Sequence, residues 1–281
     1  MDTMTDAIRT PRRWFITGAN SGFGFALVHA ALAAGDEVVA AVRRPETMAE
    51  LAAASAGRVS VVELDVSKHE HLAAAVEAAG RVDVLVNNAG FGIVGAIEET
   101  SEAELRNTME VMFFAPLELT RLVLPQMRAR RSGTVVQLTS MGGMLSFPGV
   151  GAYSAAKGAL ELASEALAAE VAPLGIKVLI VEPGAFRTGF AAPAALQAVD
   201  ARIADYDPTA GATRDGLPTS HGAQEGDPAK AAAAVLDVLE WKEPPLRLAL
   251  GNDAVDAIRG KLAAVGADLD ATEHLGRAMT A

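Results

Sequence analysis

The chain has 281 residues and a formal net charge of -11 at pH 7, and this acidic balance disfavours nucleic acid or an anionic membrane surface as a partner. It contains no cysteine, which excludes disulfides and thiolate metal ligands. No metal site is expected either, because the histidines have no metal-binding spacing: His29, His69, His71, His221 and His274.

The N-terminal sequence MDTMTDAIRTPRR lacks an apolar stretch of signal-peptide length, and no run of 18 apolar residues occurs in the chain. We therefore expect a cytoplasmic protein with no membrane partner.

Short β-rich segments alternate with longer Ala-rich segments along the chain. Val84, Leu85 and Val86 form a continuous apolar run, which is typical of a strand buried on both faces of a parallel sheet. Strands are predicted at residues 14–18, 37–42, 59–64, 82–87, 133–139, 176–183 and, at one edge, 246–250. This alternation predicts an α/β fold with a doubly wound parallel sheet of the Rossmann type.

The first predicted strand is followed by TGANSGFG (residues 17–24) and then by an apolar helix. Gly18, Gly22 and Gly24 allow a tight turn and let a pyrophosphate approach the helix N-terminus, where free N–H groups favour an anion. A Gly-rich turn between a strand and a helix therefore indicates a dinucleotide site.

Polar residues also follow later strands. Asp65 follows the third, where its carboxylate could accept a hydrogen bond from an adenine amino group, and NNAG (residues 87–90) follows the fourth. Ser140 ends the fifth strand. Ligands in doubly wound sheets bind beyond the carboxyl ends of the strands, so these residues are predicted to share one crevice with the Gly-rich turn.

Tyr153 and Lys157 stand in the small-residue sequence GAYSAAKGAL (151–160). On a helix, side chains four positions apart lie on one face, so phenol and ammonium can reach one site; the alternative is an exposed helix with a solvated lysine. A positive charge about 5 Å away at an effective dielectric of about 20 supplies roughly 3 kcal/mol, close to what lowers a phenol from pKa about 10 to about 8. The pattern predicts that Lys157 lowers the pKa of Tyr153.

Five motifs in order give the chain its resemblance to the classical short-chain dehydrogenase/reductase family over about residues 14–190. They are Gly18-x3-Gly22-x-Gly24, Asn87-Asn88-Ala89-Gly90, Ser140, Tyr153-x3-Lys157 and Pro183-Gly184. The chain is similar in particular to the branch that acts on hydroxysteroids, retinoids and other bulky carbonyls.

The resemblance implies an oxidoreductase in which Tyr153 protonates a substrate carbonyl oxygen as hydride leaves the nicotinamide. Ser140 would hydrogen-bond the same oxygen, and Lys157 would bind the nicotinamide ribose and favour the phenolate in the oxidative direction. The residues implied for cofactor binding are Gly18, Asn20, Ser21, Gly22, Phe23, Gly24, Arg43, Arg44, Asp65, Val66, Asn87, Ala89, Gly90, Tyr153, Lys157, Pro183, Gly184 and Thr188. Thr17 and Asn87 are also predicted to pin neighbouring strand ends.

The end of the second strand indicates which nicotinamide is used. Val42 stands where an enzyme that binds NAD(H) usually has a carboxylate, and Arg43 and Arg44 follow at once. We therefore predict NADP(H) rather than NAD(H), with Arg43 as the main ligand of the 2'-phosphate and Ser21 assisting. The alternative is two solvated arginines at the start of a loop.

The pattern predicts one domain over residues 1–281, with a cofactor-binding and catalytic core at 14–184. Residues 185–226 show no period, which is typical of a substrate lid, although a disordered surface insertion is the alternative. Residues 227–281 are predicted to form a C-terminal helix that begins at Asp227-Pro228, the edge strand and a tail.

Apolar side chains in the predicted active-site loops favour a bulky hydrophobic ketone or secondary alcohol as substrate, unless they form local core under the lid: Met141, Met144, Phe147, Phe186 and Phe190. The rival hypothesis is a protein that binds NADP without turnover, as a sensor or interaction module. By resemblance, a homodimer or homotetramer is expected to form through the helices at 117–127 and 153–171.

One position departs from the family. Met112, in VMFFAPLELT, stands where the family has an asparagine that holds a water linking Lys157 to bulk solvent. A thioether is too weak an acceptor for that task. We expect Met112 to limit the proton relay; the alternative is that it fills a gap in the core and the relay is not limiting.

Overall fold

The computed structural model describes residues 10–192 and 195–279. In these ranges the strands are β1 (Arg13–Thr17), β2 (Glu37–Val42), β3 (Val59–Glu63), β4 (Val84–Asn87), β5 (Gly92–Val94), β6 (Gly133–Leu138), β7 (Ile176–Pro183), β8 (Leu196–Ala198) and β9 (Arg247–Leu250). The α-helices are α1 (Gly22–Ala33), α2 (Ala49–Ala54), α3 (Leu72–Ala79), α4 (Glu102–Met109), α5 (Ala115–Arg130), α6 (Gly151–Val171), α7 (Ala212–Thr219), α8 (Pro228–Glu240) and α9 (Asn252–Arg277).

Seven of these strands form one parallel sheet in the order β3-β2-β1-β4-β6-β7-β9. β1 pairs in parallel with both β2 and β4. From β1 the sheet continues outward through β2 and β3, and from β4 it continues in the other direction through β6, β7 and β9. The structure confirms the predicted doubly wound sheet, including its edge strand. The crevice between the ends of β1 and β4 is the switch point at which such folds bind ligands.

Two apolar layers cover the sheet, because successive side chains of a strand point to opposite faces. On one face, Phe15 and Leu85 pack with Leu119 of α5, together with α3 and α6. On the other, Ile16 packs with Leu27 of α1, together with α8. Burial on both faces explains the continuous apolar runs of the sequence.

A π-helical turn at Glu110–Phe114 joins α4 to α5 as one continuous helical stretch. Met112 lies in this turn and is fully buried in the core layer that contains Leu119. Turns of this kind are frequent at functional sites. Here the turn places Met112 beside Gly90, which follows β4 at the carboxyl end of the sheet.

The segment at 185–226 contains regular structure, contrary to the lack of period in its sequence. β8 pairs with β5, and α7 follows a π-helical turn at Asp207–Gly211. Glu99 anchors the segment to the body, since its carboxylate accepts a hydrogen bond from Ile203 N at 2.8 Å and pairs with Arg214. The helix α7 was hard to foresee because Gly216 and Pro218 lie within it.

The C-terminal part begins as predicted. Asp227 Oδ1 accepts a hydrogen bond from Ala229 N at 2.8 Å and caps α8, which starts at Pro228. The predicted tail is instead α9, a helix of 26 residues. Its first turn packs on the body through Ala254, which is fully buried.

Candidate active site

The ends of β6 and α6 bring Ser140, Tyr153 and Lys157 together. Ser140 Oγ accepts a hydrogen bond from Gly142 N at 3.0 Å and lies 3.4 Å from Pro183 O, to which it donates. The Tyr153 ring lies beside the Ser140 hydroxyl, since a Cβ at Gly142 would be 3.4 Å from Ser140 Oγ and 3.2 Å from Tyr153 Cε1. One helical turn along α6, Lys157 Nζ lies 5.9 Å from the centroid of the Tyr153 ring. The three predicted catalytic residues therefore share one place at the carboxyl end of the sheet.

Burial dominates the electrostatics of this group. It raises the pKa of Tyr153 to about 12, against the opposing effect of the hydrogen bond with Ser140. It lowers the pKa of Lys157 to about 8, against the opposing charge of Glu161. The pKa of Tyr153 therefore moves in the direction opposite to the predicted net lowering, because the prediction counted the ammonium charge and left out the burial of the phenol, which is the larger effect.

The ammonium of Lys157 is held by the end of the neighbouring strand. Nζ donates a hydrogen bond of 2.6 Å to the carbonyl oxygen of Leu138, the last residue of β6. The side chain of Lys157 is buried. This bond fixes where the positive charge stands relative to Ser140 and Tyr153.

A buried carboxylate network beneath the site was missed by sequence reasoning. Glu161 accepts hydrogen bonds from Thr139 Oγ1 at 2.5 Å and from Arg247 Nε at 3.2 Å. Arg247 Nε also lies 3.5 Å from a carboxylate oxygen of Glu182. The spacing of Glu161 four residues after Lys157 was the signal available, but its partners come from β9 and from the end of β6.

These carboxyls titrate unusually high. Burial raises the pKa of Glu161, although Thr139 and Arg247 oppose it. Burial and then the charge of Glu161 raise the pKa of Glu182 to about 7, while Arg247 opposes both. Negative charge is therefore costly here, one turn of α6 below Lys157.

The Gly-rich turn is built for close approach of backbone. Gly18 and Gly22 have φ of +63° and +52°, the region that favours glycine. A Cβ on Gly24 would lie 2.6 Å from Asn88 Nδ2, so only glycine fits there. Asn88 Nδ2 in turn donates to Thr17 O at 2.8 Å, and Thr17 Oγ1 accepts from the backbone N of Asn88 at 3.0 Å. Thr17 thus pins the ends of β1 and β4 together, as predicted.

The remaining residues of the turn lie around its mouth. Ser21 precedes α1 and is exposed, and Asn20 Nδ2 donates to Thr47 Oγ1 at 3.1 Å, which ties the turn to the loop after β2. Phe23 packs on Phe186, with ring centroids 5.0 Å apart. Phe186 is therefore buried against α1 rather than lining a substrate wall, as the core alternative had it.

Asn87 turns its side chain away from the crevice. Its Nδ2 donates to Gln137 Oε1 at 2.9 Å and to Pro116 O at 3.1 Å, and the side chain is buried. Val66 is likewise buried in the core. Any contact of these two residues with a cofactor would come from the backbone, whereas Ala89 and Gly90 lie nearer the surface.

Arg43 and Arg44 are exposed at the end of β2. Near them, burial tends to raise the pKa of Asp65, but hydrogen bonds from Ser67 and the charge of Arg43 outweigh it and lower the pKa. Asp65 Oδ1 accepts from Ser67 Oγ at 2.8 Å and from Ser67 N at 3.0 Å. An acid and an arginine thus stand together where the adenosine end of a dinucleotide is expected.

The turn after β7 lies close both to Ser140 and to the Gly-rich turn. Pro183 O is the acceptor for Ser140, and Gly184 leads to Thr188, whose Cβ lies near Gly22. Phe190 packs edge-on against Tyr153, with ring centroids 5.5 Å apart.

A groove of about 530 Å³ opens at the N-terminus of α6, where Gly151 is among its lining residues. Apolar side chains, among them Ile97 and Phe147, line most of it, and Glu98 and Tyr206 stand at its edge. Phe147, which lines the groove, and Phe190, which packs on Tyr153, therefore stay candidates for a substrate wall. Met141 and Met144 are half-buried.

Gly90 keeps a space open between Met112 and Lys157. A Cβ at Gly90 would lie 3.5 Å from the Met112 sulfur and 3.8 Å from Lys157 Nζ. Met112 therefore occupies the neighbourhood of the Lys157 ammonium. This set of residues fits a nicotinamide dinucleotide. Glycines leave the backbone accessible in the turn at 17–24 and in the segment at 87–90, which lie between Arg43 and Tyr153.

Within residues 10–192 and 195–279, no group of three or more His, Asp or Glu side chains could hold a metal ion. No helix in the described part of the chain has the length and apolarity to cross a membrane.

Comparison with known proteins identifies relatives. The family model for short chain dehydrogenases matches residues 12–198. Oxidoreductase BOA17 of Botryotinia fuckeliana is 39% identical over 257 residues, which cover 90% of this chain and 93% of that protein. The 3-ketodihydrosphingosine reductase of Bacteroides thetaiotaomicron is 36% identical over 247 residues, or 86% of this chain and 88% of the reductase.

Two solved structures of short-chain dehydrogenases have the same fold as this chain. A short-chain dehydrogenase from Streptomyces avermitilis is 50% identical with a TM-score of 0.89, and the match covers 97% of this chain and all of the other. A short chain dehydrogenase from Burkholderia cenocepacia in complex with NADP is 26% identical with a TM-score of 0.73, covering 96% and 98% of the two chains.

Proposed function

The chain belongs to the short-chain dehydrogenase family, and on that premise we propose that this oxidoreductase reduces a bulky hydrophobic ketone to a secondary alcohol, or catalyses the reverse reaction, with NADP(H). The observation that carries the proposal is the grouping of Ser140, Tyr153 and Lys157 beside the switch-point crevice and the Gly-rich turn. When bound, the nicotinamide supplies or accepts the hydride.

The side chains of the chain itself handle the proton. Tyr153, with a pKa raised to about 12, holds its proton at neutral pH and so is ready to give it to a carbonyl oxygen. Ser140 lies next to Tyr153 and hydrogen-bonds the same carbonyl oxygen, which orients it. Lys157, held by the Leu138 carbonyl, places positive charge behind Tyr153, where it stabilises the phenolate that remains after proton transfer.

The cofactor preference rests on Arg43 and Arg44. Both are exposed at the end of β2, and Arg43 acts on Asp65 through its charge. A guanidinium binds a phosphate through paired, charge-assisted hydrogen bonds, so Arg43 suits the 2'-phosphate of NADP. The solved relative from Burkholderia cenocepacia is in complex with NADP, whereas a relative from Burkholderia phymatum is in complex with NAD, so the preference rests on the arginines.

The substrate class rests on the groove at the N-terminus of α6, which Gly151 lines two residues before Tyr153, and on one relative. Ile97 and Phe147 give the groove an apolar lining, and Phe190 sits edge-on at Tyr153. The Bacteroides relative is named for a reaction on 3-ketodihydrosphingosine, a ketone on a long hydrocarbon chain, which suits the same class. A homo-oligomer formed through α5 and α6, in the cytoplasm, belongs to the same proposal.

A carbonyl panel with NADPH tests the proposal. We expect kcat/KM for long-chain or polycyclic ketones to exceed that for small sugars and 2-oxo acids by at least tenfold. A preference for the small polar carbonyls would overturn the substrate class while leaving the chemistry intact.

One observation favours a second candidate, an NADP-binding sensor or interaction protein without useful turnover. Met112 replaces the asparagine expected beside Lys157, at a point where the sulfur and Nζ are both close to Gly90. The sensor hypothesis requires tight NADPH binding together with no carbonyl reduction across the whole panel.

A further inference from the structure

The C-terminal helix α9 leaves the body of the protein after its first two turns. Ala254 is fully buried, and Asp253 Oδ2 accepts a hydrogen bond of 2.6 Å from Ala185 N. From residue 259 to residue 279, every residue except half-buried Gly266 is exposed. A stretch of 21 residues would extend about 30 Å, so α9 projects from the domain.

An apolar stripe runs along this projecting part. Ile258, Leu262, Val265 and Leu269 are spaced by four, three and four residues, the repeat of a helix that packs on one other helix. Leu262, Val265 and Leu269 are 56%, 47% and 64% exposed. Apolar side chains with this repeat are ordinarily covered by a second helix.

The intrinsic preference of α9 for a helix is weak in the same stretch. Gly260 and Gly266 lie in its middle, and each costs about 1 kcal/mol relative to alanine. A Cβ at either glycine would meet nothing within 4 Å, so the fold itself gives no packing reason for them. An isolated helix of this length is marginal in water, and tertiary packing normally stabilises it.

Charge along the stripe identifies the partner. Arg259 and Lys261 lie beside the near half of the stripe, and Asp268 and Asp270 lie beside its far half, while Asp256 precedes the four and Glu273 and Arg277 follow them. In a parallel pair of α9 helices, like charges would face each other at both ends. In an antiparallel pair, each basic end would meet an acidic end.

We propose that α9 pairs antiparallel with α9 of a second copy of this chain, through Ile258, Leu262, Val265 and Leu269. A two-fold axis midway between Leu262 and Val265 places Leu262 of one copy beside Val265 of the other, and Ile258 beside Leu269. The same axis brings Arg259 level with Asp268 of the second copy, and it brings Lys261 within two residues, about 3 Å along the helix, of that level. Lys261 and Asp268 of one chain are seven residues apart, about 10 Å along the helix, so they complement each other only between copies.

Charge reversal tests the pairing. By sedimentation equilibrium, we expect Lys261→Glu and Asp268→Lys each to weaken self-association at least tenfold. Each substitution gives residues 261 and 268 the same sign of charge, and the two-fold axis repeats this repulsion on both sides of the pair. The double variant restores the attraction and should recover association. Lys242→Glu, at an exposed site outside α9, is the control for net charge. Equal weakening in the single and double variants, or none in either, would overturn the proposal.

Cross-linking separates this interface from one formed by α5 and α6. Since the chain has no cysteine, Val265→Cys carries the only thiol, near the proposed axis. A short bismaleimide should join two Val265→Cys chains but not two Thr272→Cys chains, whose thiols lie roughly 25 Å apart along an antiparallel pair. Efficient coupling of both variants would indicate a parallel pair, and coupling of neither would exclude α9 pairing. Flotation of the protein with phosphatidylcholine vesicles, without self-association, would assign the stripe to a lipid surface and would also contradict the proposal.

Discussion

Met112 and Lys157 both border Gly90, where a Cβ would lie 3.5 Å from the Met112 sulfur and 3.8 Å from Lys157 Nζ. A thioether accepts hydrogen bonds weakly, so Met112 offers the ammonium no useful polar partner. Lys157 donates instead to the Leu138 carbonyl. The proton that Tyr153 gives up must therefore be replaced without a side-chain amide at position 112.

Met112→Asn should raise the turnover number with NADPH about five-fold, which corresponds to about 1 kcal/mol for one improved polar contact. Met112→Leu, which is also apolar, is the matched control and should leave turnover near that of the native chain. The melting temperature of each variant is recorded alongside the kinetics, because an unpaired buried amide destabilises a fold. A stably folded Met112→Asn protein with unchanged or lower turnover would show that the proton moves without this position.

Arg43→Ala should lower kcat/KM with NADPH at least tenfold and leave kcat/KM with NADH nearly unchanged. The reason is the loss of charge-assisted hydrogen bonds to the 2'-phosphate, worth about 1.5 to 3 kcal/mol. Arg44→Ala is the neighbouring control and should have a smaller effect. Native kcat/KM values that are equal for the two cofactors, or higher for NADH, would end the NADP assignment.

Glu182 should make stability depend on pH. Burial raises its pKa from 4.5 to about 7, so between these values the folded chain keeps a proton that the unfolded chain releases. The stabilising contribution of this group is complete below pH 4.5 and is lost as the pH rises to about 7. Above that range, the folded chain carries a charged carboxylate in an unfavourable environment.

Glu182→Gln should therefore raise the melting temperature at pH 8 and change it little at pH 5, where the native carboxyl is already protonated. Glu165→Gln is the control, because Glu165 also bonds Arg247 but is exposed. An equal loss of stability at both pH values would show that the ion pair between Glu182 and Arg247 stabilises the fold by more than the burial of the charged carboxylate destabilises it.

The sheet could be predicted because its strands are buried on both faces. Such strands need apolar residues at successive positions, as in the run from Val84 to Val86. The motif residues follow these strands directly, so the meeting of Ser140, Tyr153 and Lys157 could be predicted as well. Strand ends, helix spacing and the Gly-rich turn are all local patterns.

What escaped prediction depends on distant contacts. β5 has three residues and exists through its pairing with β8, about 100 residues later. The network of Glu161 depends on Arg247 of β9, and the direction of the Tyr153 pKa depends on burial that the sequence does not express. Phe186 was expected near the substrate, but it packs on Phe23.

The measurement that tests the account most directly is the turnover of Tyr153→Phe with NADPH and the best hydrophobic ketone of the panel. Phenylalanine keeps the ring that packs on Phe190 and removes the proton that Tyr153 gives to the carbonyl oxygen. We predict that kcat falls about 1,000-fold or more while the Kd for NADPH, measured by fluorescence, stays within about threefold of the native value. A Tyr153→Phe protein that binds NADPH normally and turns over within tenfold of the native rate would contradict the proposed role of Tyr153 and the function built on it.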